Sequence, residues 1–251
     1  MKSRHSAGFF FSEKQKMKKR VTIQGVAGCF HDAAARKFFA GEDIETVACE
    51  TFNDMFAALH ADESLLGIMA IENTIAGSLL QNHELLRQSD MTIVGEQKEY
   101  ISQSLCALPG QSIEDLQEVN SHPIALMQCE QYLLSHPWMK MVEATDTAGS
   151  AKVIAERGLK GHAAVCGTFA ANLYGLEVLA EDIQTNKRNF TRFLILAHKK
   201  QGEKMRQGKN LNKASLAFTL PHTQGSLSKV LTIFSFYDIN LSKIQSMPII
   251  G

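Results

Sequence analysis

Short apolar runs alternate with segments of helical period and brief polar breaks, so the pattern predicts a regular succession of strands and helices from Arg20 onward. Residues 21–23 form the first apolar run, and 25–28 a loop bracketed by glycines, ahead of a helix over 29–39. A strand over 44–49 follows, then a helix opened by Thr51 with Asp54 three residues on, a capping pattern that carries it to about 61. The run 66–71 is apolar without a break, as a buried strand requires, and stops abruptly at Glu72-Asn73-Thr74. Ser78 then stands where a helix over about 79–88 needs its N-cap. Residues 92–108 alternate over a length that suits a crossover between two lobes, and Pro109-Gly110 closes them.

Beyond this point the pattern predicts a short helix from 112, a strand at 118–120, and a helix begun by Pro123 that runs to about 134. A strand at 139–143, a helix over 148–157 capped by 145–147, a strand at 163–166, a helix at 168–174 and a short strand at 178–180 complete the alternation. The apolar run 194–197 reads as a buried strand with Asn189-Phe190-Thr191-Arg192-Phe193 at its mouth. Strand and helix alternate throughout, which implies α/β architecture with mostly parallel sheets. Residues 199–213 are charged and nearly free of apolar side chains, so they read as a linker. A new strand (214–220), helix (226–237) and strand (240–245) follow, a βαβ start too short to cover its own apolar faces and strand edges.

Composition narrows the classes. The 26 basic and 26 acidic residues balance, yet seven Lys/Arg fall in the first 20 residues with only Glu13 against them. The remaining body is mildly acidic and carries no basic stripe, which argues against a nucleic-acid partner. No apolar run approaches the roughly 18 residues of a membrane span. Five widely spaced cysteines without a CxxC read as reduced core residues of a cytoplasmic protein, and the histidines show no metal-ligand spacing. Residues 1–19 are basic, with Phe9-Phe10-Phe11 too short for a signal-peptide core, and read as an extension outside the fold.

Candidate chemistry gathers at strand ends. Thr191 and Arg192 set a hydroxyl beside a guanidinium, able to touch a leaving group and hold an anion; a capping hydroxyl beside a solvated charge would read the same way. Glu72, Asn73 and Ser78 fall outside the carboxyl end of a strand, where open α/β sheets bind ligands. Ser121 and His122 lie at another strand end. The loop 25–28 has neither a GxGxxG nor a Walker lysine, so it is either an anion-facing helix start or an ordinary βα turn.

Taken in order, these segments resemble the prephenate dehydratase family. The resemblance rests on Gly25 through His31 (GVAGCFH), Ile71-Glu72-Asn73-Thr74 with Gly77-Ser78, Ser121-His122-Pro123 with Gln128-Cys129, Tyr174 through Leu179 (YGLEVL), and Asn189-Phe190-Thr191-Arg192-Phe193. The tail resembles the start of an ACT domain, the phenylalanine-binding module of this family, with Gly225-Ser226-Leu227 at its ligand loop. Ile124 stands where the family has glutamine, and Gln245-Ser246-Met247-Pro248 replaces Glu-Ser-Arg-Pro, removing both charges of that segment.

The resemblance implies two α/β lobes like those of type II periplasmic binding proteins: residues 20–98 with 175–198, and residues 99–174. A linker over 199–213 and the N-terminal part of a ferredoxin-like ACT domain over 214–251 would follow. It implies dehydration and decarboxylation of prephenate to phenylpyruvate in L-phenylalanine biosynthesis, with no metal or organic cofactor. Thr191 or Glu72 would supply the proton to the departing hydroxyl and Arg192 would hold a carboxylate. Asn73, Ser78, Ser121, Gln128 and Thr147 would fix the carboxylates and keto group, and Phe193 would line the ring pocket. Arogenate dehydratase and a noncatalytic amino-acid sensor are the alternatives. Phenylalanine as effector and a homodimer or homotetramer complete the expectation.

Overall fold

The computed structural model describes residues 18–247. Most of the expected N-terminal extension lies outside the described residues, and its last residue, Lys19, already belongs to a strand. The first lobe is built from β1 (Lys19–Gln24), α1 (Phe30–Phe38), β2 (Ile44–Cys49), α2 (Phe52–Ala61), β3 (Leu66–Asn73), β4 (Gly77–Ser78), α3 (Leu80–Gln88) and β5 (Thr92–Tyr100). The chain then crosses into a second lobe of β6 (Ser104–Ala107), a 3-10 turn (Ile113–Asp115), β7 (Glu118–Ser121), α4 (Pro123–Gln128), α5 (Glu130–Leu134), β8 (Lys140–Glu143), α6 (Thr147–Arg157), β9 (His162–Cys166), α7 (Thr168–Tyr174) and β10 (Glu177–Ala180). It returns as β11 (Phe190–Ala197), continues as α8 (Lys199–Arg206), and forms one further helix, α9 (Ser226–Phe236).

The first sheet has the order β2-β1-β3-β11-β5 with β4 on β3, and the second the order β10-β6-β9-β7-β8. Both sheets are mixed rather than mostly parallel. β11 runs antiparallel to β3 and to β5, and β6 runs antiparallel to β9 and to β10. The reason is topological: the strands next to the two crossings leave one lobe and return to it in opposite senses. β10 belongs to the second sheet, paired on β6, so the second lobe continues to residue 180 instead of ending at 174. The pairing Val178↔Cys106 is apolar, and Val178 packs at the edge of the cluster that also holds Cys106.

A continuous apolar cluster joins the lobes, with Val21, Ile23, Phe193 and Ile195 from the first and Cys106, Ala148, Ala164 and Ala170 from the second. The loop 25–28 sits at this junction. Gly28 has φ +88°, and a Cβ there would stand 3.1 Å from Ala170 Cα, so the close approach of the lobes needs a glycine. Tyr174 Oη donates to the Ala27 carbonyl across the junction at 2.6 Å. Gly28 N–H donates to Asp32 in the first turn of α1, and the loop packs the two lobes together. All five cysteines are buried.

Three expectations fail locally. The helix begun at Pro123 breaks at Cys129, whose φ of −102° and ψ of 10° leave the helical region. The segment 199–213 is not a linker throughout, because 199–206 form α8. Its Gly202 is buried against β5, where a Cβ would come within 2.8 Å of Thr92 Cγ2. Among the described residues of the tail only α9 forms; residues 214–220 and 240–245 carry no strand, and no residue of α9 is buried.

Candidate functional site

The polar pentapeptide lies inside β11, not ahead of it. Thr191 pairs with Asn73 and Arg192 with Glu72, so the two motifs read separately along the chain are adjacent rungs of one ladder. The register slips between Arg192 and Phe193, placing Phe193 opposite Ala70. At this slip the backbone of Ala70 is held by side chains: its N–H donates to His31 Nε2 at 3.3 Å, and its carbonyl accepts from Asn82 Nδ2 at 2.7 Å. His31 therefore carries its proton on Nδ1, and burial pushes its pKa down to about 4.

Side chains alternate across a strand, so Thr191 shares a face with Phe193 and Ile195, while Arg192 shares the other with Leu194 and Leu196. The core clusters confirm this division: Phe193 and Ile195 pack in the cluster that joins the lobes, Leu194 and Leu196 in the one beneath α2. Thr191 thus faces the second lobe and Arg192 faces away.

On the Thr191 face, Asn73 is the organiser. Its Oδ1 accepts from the backbone N–H groups of Ile75 and Ala76, both at 2.9 Å, and these donors admit only one orientation of the amide. Its Nδ2 must then donate, which it does to Thr191 Oγ1 at 2.9 Å and to Asn189 Oδ1 at 2.8 Å. Asn189 Nδ2 passes the direction on to Gln128 Oε1 at 3.1 Å, across to the second lobe. Thr191 oxygen is an acceptor here, and among the described residues its proton has no acceptor, so it is free to be donated outward.

Arg192 has a different environment. Its Nε bonds Glu96 Oε2 at 2.8 Å and its Nη1 lies 3.4 Å from Glu72 Oε1. The outer oxygens of the two carboxylates are taken by tail lysines: Lys243 Nζ lies 2.6 Å from Glu72 Oε2, and Lys213 pairs with Glu96. The Lys243 hydrogen bond, with Arg192 beside it, holds the Glu72 carboxyl below the usual range. Both cations favour the ionised carboxylate, which argues against Glu72 as the proton donor that the resemblance offers beside Thr191. The guanidinium of Arg192, already paired twice, is turned from the Thr191 face and is not placed to share a ligand with Thr191.

The remaining residues are dispersed. Ser78 pairs with Glu72 in β4 and does not cap α3, whose N-cap is Leu79. Ser121 is fully buried and its hydroxyl donates to the Val165 carbonyl at 2.6 Å, a bond between strands. Thr147 opens α6, capped by Asp146 Oδ1 on Gly149 N–H at 2.6 Å. Phe193 is 1% exposed and packs edge-on to His31 at 5.0 Å, a core ring and not a pocket wall. Gly225, with φ +76°, precedes Ser226 and Leu227 at the start of α9. Asn73, Thr191 and Gln128 of the expected set converge on the face toward the second lobe, while Glu72 and Arg192 meet each other on the opposite face. Sequence reasoning quoted Asn189 within its motif without giving it a role, and passed over Gln103, whose Nε2 lies 3.5 Å from Gln128 Oε1.

With this geometry in place, comparison with known proteins decides the family: the sequence pattern described as prephenate dehydratase matches residues 21–201. The chain belongs to the prephenate dehydratase family. It is 41% identical over 231 residues to arogenate dehydratase/prephenate dehydratase 2, chloroplastic, of Arabidopsis thaliana, covering 92% of this chain and 59% of that protein. To arogenate dehydratase 2 of Petunia hybrida it is also 41% identical over 231 residues, covering 92% and 57%. The chain thus spans less than two thirds of the length of these relatives. Among solved structures, the prephenate dehydratase of Arthrobacter aurescens in complex with L-Phe superposes with TM-score 0.74 at 26% identity, covering 91% of this chain and 76% of that one. A protein described as a quorum quenching acylase, GqqA, superposes with TM-score 0.75 at 28% identity, covering 92% and 82%. The expected cytoplasmic location is overturned by the relatives: arogenate dehydratase/prephenate dehydratases 1 and 2 of Arabidopsis thaliana are both named chloroplastic.

Proposed function

We propose that this chain is a dehydratase of the prephenate skeleton, converting prephenate to phenylpyruvate in phenylalanine biosynthesis. The observation that carries this reading is the bond from Asn73 Nδ2 to Thr191 Oγ1, which leaves the Thr191 proton pointing out as a donor on the face turned to the second lobe. The chemistry asks for little more. The bond from the ring to its carboxylate breaks and carbon dioxide leaves; the electron pair enters the ring and expels the hydroxyl from the opposite carbon. That hydroxyl takes up one proton and departs as water, and the ring becomes aromatic. The protein must orient the substrate and donate a hydrogen bond to the departing oxygen. Thr191 fills that role; Glu72 is ionised by its cationic partners and does not.

Arogenate, which carries an ammonium where prephenate has its keto oxygen, is a second substrate to be weighed, because relatives at 41% identity are named for it. A phenylalanine site at Gly225, Ser226 and Leu227 is part of the same proposal, supported by the L-Phe complex of the Arthrobacter protein. The test is direct: purified protein is given prephenate or arogenate and the appearance of phenylpyruvate or phenylalanine is followed. Turnover of at least one, lowered at least about a hundredfold by Thr191→Ala, is expected; no product from either overturns the reading.

A further inference from the structure

The two segments that cross between the lobes run side by side. Ile101 N–H bonds the Asn189 carbonyl at 2.8 Å, and Ile183 N–H bonds the Gln103 carbonyl at 2.8 Å. Gln184 Oε1 accepts from Gln103 N–H at 2.9 Å between the same two segments. Asn189 stands on this double crossing, wholly buried, with one end of its amide on Asn73 of the first lobe and the other on Gln128 of the second.

The sense of every amide in this row is determined. Backbone donors fix Asn73; Asn73 fixes Asn189 as acceptor at Oδ1 and hence donor at Nδ2. Gln128 Oε1 then receives both Asn189 Nδ2 and, more weakly at 3.5 Å, Gln103 Nε2, which leaves Gln128 Nε2 without an acceptor among the described residues. Two donors, the Thr191 hydroxyl and Gln128 Nε2, are therefore presented by two different lobes and aimed by one intervening side chain. The Asn189 amide reaches both neighbours only at this separation, so the row persists only while the lobes keep this spacing.

We infer that Asn189 is a positioning residue that ties the aim of Thr191 to that of Gln128, so that the donor to the leaving hydroxyl is in place only when the second lobe is docked. This rests on the dehydratase reading and deepens it. Asn189 is wholly buried, and its effect passes through Asn73 and Gln128. Its removal is expected to act on the chemical step more than on binding, because the misdirected donor matters most where charge develops on the departing oxygen.

The experiment measures kcat and KM for Asn189→Ala and for Asn189→Ser, whose hydroxyl is too short to reach both neighbours, alongside Gln128→Ala and the Asn189→Ala/Gln128→Ala double variant. Thermal unfolding is recorded for each. Asn189→Ala and Asn189→Ser are expected to lower kcat about tenfold or more with KM changed by less than about threefold, while remaining folded at the assay temperature. The double variant is expected to lose less than the product of its single losses, since either change already cuts the row. Unchanged kcat, a loss confined to KM, multiplicative losses, or unfolding of both Asn189 variants would each overturn the inference. A failure of the dehydratase reading itself is recognised separately, by the unmutated protein turning over neither substrate.

Discussion

Thr191 and Arg192 are consecutive residues that serve opposite faces of β11: the hydroxyl joins Asn73 toward the second lobe, and the guanidinium joins Glu72 and Glu96 on the other side. A mechanism that places both on one substrate would need a twist that the paired strands on either side do not allow.

Substitution at the two positions should therefore separate. Thr191→Ala is expected to lower kcat by about 10²–10⁴, the usual weight of a positioned proton donor. Arg192→Lys should keep kcat within about tenfold and chiefly loosen the tail. Glu72→Gln should likewise retain most turnover. Near-normal turnover in Thr191→Ala together with none in Glu72→Gln would reverse the assignment.

His31 makes stability depend on pH. Its folded pKa of about 4 lies below the unfolded value near 6.5, so the unfolded chain binds the extra proton in that window. Stability is complete above pH 6.5 and falls as the pH drops from there to about 4, by up to about 3 kcal/mol. Urea unfolding at a series of pH values should show this slope, and His31→Phe should flatten it.

The tail contact should weaken in acid. The folded pKa of Glu72 is depressed by Lys243 and Arg192, and that of Glu96 is also lowered, through Lys213 and Arg192 against the effect of burial. Their stabilisation is present above the unfolded value near 4.3 and is lost as the pH falls through the folded values. Hydrogen exchange over residues 207–247 should rise below about pH 4. Lys213→Gln combined with Lys243→Gln should raise it already at neutral pH, while costing global stability about 1 kcal/mol or less for each partly exposed pair.

Gly202→Val should detach α8 from β5, because the branched side chain would occupy the space of Thr92 Cγ2. The expected loss is about 1–3 kcal/mol. Faster proteolysis within residues 199–206 would report it, and an unchanged melting temperature with unchanged cleavage would contradict it.

Much of this architecture was legible in the residues. The limits of β2 and α7 follow from apolar runs, and those of α2 from a capping box in which Thr51 Oγ1 accepts from Asp54 N–H at 3.1 Å. α8 was hidden because it docks through Gly202 and Met205 alone, which leaves too few apolar positions to show a period. The faces of Thr191 and Arg192 were hidden by one misplaced boundary: with β11 begun at 194 the pair looks like a loop, and begun at Phe190 the alternation separates them at once. The row of amides was invisible for a different reason. Asn73, Gln128 and Asn189 are distant in sequence, and only the strand pairing and double crossing make them neighbours. The strands expected at 214–220 and 240–245 depend on partners to complete a sheet, and propensity alone does not form them.

The position of β11 has a consequence for how the molecule comes to exist. It is the last strand of the first sheet to be synthesised, yet it lies between β3 and β5, both made long before it. A growing chain must complete the whole second lobe while those two strands wait with unpaired edges, and only then can the gap close. The first lobe is thus a late-folding unit of high contact order, exposed to wrong pairing until about residue 197 has emerged. Asn73 meets Thr191 in that same closing event. A chain able to donate the Thr191 proton is therefore one whose first sheet has closed, and a product cut short before β11 carries no half-formed centre.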